Sequence, residues 1–134
     1  MANHWVPVTG ATLLMPSGPT TEHMFVIMAG PTPLKNYGTN KQFISVNISS
    51  IYPGVPFDEA CILEPGAHPF VKHPSYAAYR HARIDAQQHL EKMVRDGVWK
   101  PHRPCSAGMF EKIMRGAFVS RLISREIRAF LGER

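Results

Sequence analysis

The sequence predicts an α+β fold, mainly β with C-terminal helices: a small β-rich barrel or curled sheet over about residues 5–84, then a helical part over about 85–131. Three observations carry this. Short apolar runs rich in β-branched residues, at His23–Met28 and Phe43–Ser49, are bounded by Pro and Gly, as buried strands are. From Asp85 onward the apolar residues recur at helical spacing instead, with Ser, Asp and Gly at the ends. The 134 residues, 44% hydrophobic and 19% charged, suit one domain with one core rather than a disordered chain.

Taken in order, Trp5–Thr9 and Ala11–Met15 read as strands, followed by the turn-rich Pro16-Ser-Gly-Pro19. His23–Met28 is a buried strand stopped by Ala29-Gly-Pro31. Lys35–Asn40 is a loop, and Phe43–Ser49 is the second strong strand. Cys61–Leu63 is a short third, before the turn Glu64-Pro-Gly-Ala67. Tyr76–Ile84 is a further strand, in which period two puts Ala77, Tyr79, His81 and Arg83 on one face. Asp85 is placed to cap a helix over 86–96, with Leu90, Met93 and Val94 inward and Gly97 as its stop. Val98–Pro104 reads as connecting chain. Ser106 caps a helix bearing Met109, Phe110, Ile113 and Met114, and Ser124 caps a last one with Ile127, Phe130 and Leu131, ending at Gly132.

Charge narrows the partners. A formal net charge of +5, with seven histidines able to add to it, favours phosphates or an acidic protein. The excess is spread along the chain, so solubility accounts for it equally well. No basic leader or long apolar run is present, and Cys61 and Cys105 form no Cys-x-x-Cys pair. The expectation is a cytoplasmic protein with reduced thiols, no membrane contact and no cofactor.

The segment His68-Pro-Phe-Val-Lys-His73-Pro-Ser75-Tyr76-Ala-Ala-Tyr79-Arg80 gathers the most chemistry. Its prolines turn the chain ahead of the polar positions, which suits a loop made for phosphate contact or proton transfer. A zinc set of Cys61, His68, His73 and His81 is chemically acceptable, but its spacing matches no finger or ribbon, and no metal is expected.

The order of these features resembles the PemK/MazF-like toxins over roughly residues 20–131. The features are a core strand ending in Ser49-Ser50, a short strand and Gly turn, then Ser75-Tyr76 entering a strand that closes with Arg83-Ile-Asp85 before a helix. The resemblance implies an SH3-like barrel, a homodimer, an antitoxin or other protein partner, and cleavage of single-stranded RNA without a metal. The family's Thr-Ser pair falls on Ser49-Ser50, which keeps the hydroxyls. Its arginine before the first core strand is replaced by His23, and the acid of its Arg-x-Asp stretch is missing near Ala77-Ala78-Tyr79.

Cleavage through the 2′-hydroxyl needs a base, an acid and positive charge at the phosphate. The candidate catalytic residues are accordingly His68 and His73 as the acid/base pair, Arg80 on the phosphate, and Ser75 and Tyr79 with their hydroxyls. His23, Ser49, Ser50, Lys72, Tyr76 and Arg83 are the candidate RNA-binding residues, with Tyr76 placed to stack on a base. Two other classes stand beside this reading. One is a non-catalytic barrel that docks nucleic acid or a protein through the same loop, which the missing Arg and Asp favour. The other is an enzyme acting on a nucleotide, which the lack of a Gly-rich phosphate loop disfavours.

Overall fold

The structure is a computed structural model and describes residues 5–132. Six antiparallel strands form one sheet, curled into a half-barrel, in the order β4-β5-β3-β2-β1-β6. The strands are β1 (Thr12–Pro16), β2 (Glu22–Pro33), β3 (Lys41–Ser50), β4 (Ile62–Leu63), β5 (Ser75–Ala86) and β6 (Lys100–His102). Three helices complete it: α1 (Gln87–Arg95), α2 (Ala107–Val119) and α3 (Arg125–Gly132).

Alternation in the strands loads both faces. Met24, Val26, Ile44, Val46, Ile48, Ala77 and Tyr79 meet Met109, Ile113 and Ala117 of α2 and Ile127 and Leu131 of α3. Leu13, Met15, Ile27 and Phe43 point the other way and meet Leu90 of α1 and Trp99. Being covered on both faces is why β2 reads as a nearly continuous apolar run, whereas β3 buries Ser45 and Asn47 among its apolar residues.

The helix ends follow the expected chemistry in three places. The Ser106 hydroxyl accepts from the Met109 amide at 3.1 Å and that of Ser124 from the Ile127 amide at 3.2 Å. Gly97, at φ +76°, closes α1: its amide bonds the Val94 carbonyl, and the Val98 amide bonds that of Met93. These two bonds are the Schellman pattern, which needs a left-handed residue where glycine stands.

Several expectations are corrected. Trp5–Thr9 forms no strand, and Trp5 packs against the second core instead. β2 does not stop at Ala29-Gly-Pro31 but continues to Pro33 through two register shifts. Gly30 sits there at φ +114°, where a Cβ would lie 2.4 Å from the Gln42 carbonyl oxygen, so the strand bends past its proline at a bulge. Asp85 does not cap α1, because it stays in β5 and grips Arg83 through two bonds of 2.8 and 3.0 Å. Residues 98–104 are not all connection, since β6 pairs with β1 along the sheet edge and tolerates Pro101 there.

The most consequential correction lies in β5. Asn47 pairs with Ala78 and Ser45 with Arg83, so four residues of β5 (79–82) stand against Val46 alone. The bulge breaks period two. Ala77 and Tyr79 face the first core, His81 is exposed, and Arg83 lies over the rings of Phe25 and Trp99 on the opposite face, 5.8 and 5.0 Å from their centroids.

Candidate functional site: a cleft at the strand ends

The start of β2, the end of β3 and the start of β5 lie side by side in the sheet. Ser49 pairs with Tyr76 and Ser50 with Ser75, and one step past the Met24–Ile48 pair His23 stands opposite Ser49. Three antiparallel strands therefore deliver His23, Ser49, Ser50, Ser75 and Tyr76 to one place, although they are spread over more than fifty residues. The loops at that end wall a cleft of about 830 Å³, adding Tyr52, Val55 and Phe57 from one side and Phe70, Lys72 and His73 from the other. His102 of β6 and Glu22 of β2 also line it.

Local chemistry sets these side chains. Tyr52-Pro-Gly-Val55 is a turn closed by a 3.1 Å bond from the Val55 amide to the Tyr52 carbonyl, with Gly54 at φ +77°. It leaves the Tyr52 ring 63% exposed at the cleft mouth. Phe57 and Tyr76 pack at 5.4 Å between centroids, tilted by 45°. The buried Asn47 amide donates to the Ser49 hydroxyl at 3.2 Å, and the Ser75 hydroxyl donates to the His73 carbonyl at 2.8 Å. Lys72 and His73 stay exposed on the loop, while Glu22 is partnered by Lys100 at 3.4 Å.

The candidate residues therefore divide. Seven of them line the cleft: His23, Ser49, Ser50, Lys72, His73, Ser75 and Tyr76. Four do not. Tyr79 is buried in the first core, its hydroxyl donating to the Ile113 carbonyl at 2.5 Å, and burial raises its pKa far above the usual phenol range. Arg80 is exposed on the bulge, and Arg83 is held on the far face by Asp85 and two rings.

His68 is the fourth, and only 3% exposed. Its Nε2–H donates to the Arg103 carbonyl at 2.5 Å, and its Nδ1 accepts from the Phe70 amide at 3.0 Å. Both nitrogens being used, the ring is neutral and braces the β4–β5 loop against β6, where Thr12 also bonds the Arg103 carbonyl at 2.8 Å. Burial, joined by His102 and Arg103, holds its pKa below the ordinary imidazole value although the carbonyl bond works the other way. The unfolded chain therefore takes up the proton more readily. Stability is complete above about pH 6.5, and falls as pH drops below it, by at most about 1.4 kcal/mol per pH unit. Thermal melts of the wild type and His68→Gln between pH 7.5 and 5 check this, the variant giving the flatter profile. Parallel profiles would remove His68 as the cause.

The proposed zinc ligands do not converge. Cys61 is buried beneath α2, His68 is clasped, His73 is in the cleft and His81 is on the bulge. Among the described residues no three His, Cys, Asp or Glu side chains are grouped to hold a metal ion. Cys61 and Cys105 are both free thiols. No helix of the described residues is long and apolar enough to cross a membrane.

Comparison with protein-family models, with curated proteins and with solved structures finds no match to this chain. The cleft must therefore be read from its own residues. Sequence reasoning missed Tyr52, Phe57 and His102. The Pro53-Gly54 turn signal could have placed Tyr52 on a loop tip. His102, within the Val98–Pro104 stretch that reads as connecting chain, gave no such sign because β6 exists only by pairing with β1.

Proposed function

We propose that this protein binds single-stranded RNA in the strand-end cleft. One observation carries the reading: a lysine, imidazoles, hydroxyls and aromatic faces from separate strands and loops converge in this cleft. A single strand presents one phosphate and one base face per nucleotide, and a groove combining Lys72 and His73 with Tyr52, Phe57 and Tyr76 suits both. The hydroxyls of Ser49 and Ser50 add bonds that a 2′-hydroxyl or base edge can share. Fluorescence anisotropy with a labelled single-stranded RNA tests it. Tyr76→Ala is expected to weaken binding by about 1–3 kcal/mol. Lys72→Ala should lower the steepness of the salt dependence by about 0.7 in log–log slope. Binding indifferent to salt and to both changes would sink the proposal.

Cleavage extends the same reading. His23, His73 and His102 line the same cleft as Lys72, so groups able to move a proton share it with a cation suited to a phosphate. The curled antiparallel sheet with helices on its faces is compatible with a PemK/MazF-like barrel, and kinship to those toxins, with their dimers and antitoxin partners, belongs to the proposal. A second reading, binding without reaction, has its own support. Of the five residues offered for catalysis, only His73 and Ser75 line the cleft, and the Ser75 hydroxyl is committed to a carbonyl.

A further inference from the structure

The loop that carries His73 has two sides. On the far side from the cleft lies a shallow groove of about 630 Å³, bounded by Pro65, His68, Lys72, Arg103, Pro104 and Ser106 among others. Pro69, Val71 and Lys72 line both concavities, so the loop is a low ridge between them with Lys72 on its crest. No carboxylate lines the groove, and no tyrosine, tryptophan or phenylalanine does. Its charge comes from Lys72 and Arg103, because the His68 ring on its floor is neutral.

Arg103 has an unusual division of labour. Its backbone carbonyl is structural, accepting from His68 Nε2 and Thr12 Oγ1. Its side chain is exposed and joins no ion pair among the described residues. The guanidinium is thus available to a ligand, and its planar fork of donors matches a phosphate.

We propose that this groove is a second phosphate subsite for a single-stranded polynucleotide, in which Lys72 and Arg103 hold the sugar–phosphate backbone of nucleotides flanking those in the cleft. The inference rests on the RNA reading of the cleft. A strand leaving an open-ended cleft over Lys72 meets Arg103 next, and with no aromatic ring to stack on, its bases go unread. The groove adds length and salt dependence to binding but no base preference.

Anisotropy measurements with a labelled dinucleotide and a labelled octanucleotide, on the full chain, test this. Arg103→Glu should weaken octanucleotide binding several-fold, leave the dinucleotide unchanged, and lower the octanucleotide salt slope by about 0.7. Arg103→Gln should move the same quantities less. Octanucleotides of different sequence should lose affinity equally. Because Arg103 braces the fold through its backbone amide and carbonyl and not its side chain, thermal unfolding of either variant should match the wild type. If the wild type binds both RNAs and Arg103→Glu binds them equally well, the groove is no subsite and the cleft reading stands. If the wild type binds neither, both ideas fall.

Discussion

Gly116→Ala is expected to destabilise the fold by about 3 kcal/mol, a large share of the roughly 5–15 kcal/mol that holds such a domain together. The glycine lies inside α2, where alanine is intrinsically favoured by about 1 kcal/mol. Here a Cβ would sit 2.4 Å from the Tyr79 hydroxyl, 2.9 Å from Cys61 Cβ and 3.0 Å from the Ala60 carbonyl. Two of those neighbours are backbone or Cβ atoms and cannot swing away. The hydroxyl cannot move without leaving the Ile113 carbonyl it bonds, at a further cost of about 1–3 kcal/mol. Overpacking and the lost bond therefore outweigh the gain in helix propensity. Urea unfolding measures the loss, and Tyr79→Phe in the same chain should restore part of it by removing the oxygen. A single variant as stable as the wild type would show that α2 does not pack as closely on β5 as these distances state.

The other large effect concerns chemistry. Incubated in EDTA with a mixed single-stranded RNA, the wild type is expected to cleave and His73→Ala to cleave about 10²–10⁴-fold more slowly. Folding should be untouched, since the imidazole is exposed and only the His73 backbone carbonyl takes part in a bond, from Ser75. Equal cleavage by the two proteins would remove His73 from the mechanism. RNA that stays intact with the wild type but binds it would establish the non-catalytic reading. The other imidazoles of the cleft, His23 and His102, are then the natural partners for His73, in place of the His68 that sequence spacing suggests. His68 is nearer to His73 in sequence than either of them, yet it faces the brace and they face the cleft.

Much of the architecture was legible because its causes are local. The runs at 23–28 and 43–49 lie within β2 and β3: the first is almost wholly apolar, as a strand covered on both faces can be, and the second is rich in β-branched and aromatic residues. Ser106, Ser124 and Gly97 mark helix ends because capping is settled within three or four residues. The exposed loop was legible too: prolines lie around Lys72 and His73, both residues stay exposed, and both line the cleft.

What failed depended on distant partners. Arg83 was expected on the face of Tyr79, but the bulge opposite Val46 turned it over, and a bulge is a property of two strands rather than one. Asp85 has the chemistry of an N-cap, and lost that role to a nearby guanidinium that forms the stronger, charge-assisted pair. β6 has only three residues, one of them a proline, too little to mark a strand without β1 beside it.

By itself the sequence determined the α+β class, the two central strands, the helix caps and the presence of an exposed loop bearing Lys72 and His73, all through effects that act over a few residues. Only the tertiary structure decided which polar groups meet. Strand pairing brought His23 to the end of the sheet where Ser49 pairs with Tyr76, and the curled sheet holds His68 inward, where a buried ring must spend both nitrogens on bonds. The same fold left His73 outside, exposed at the cleft.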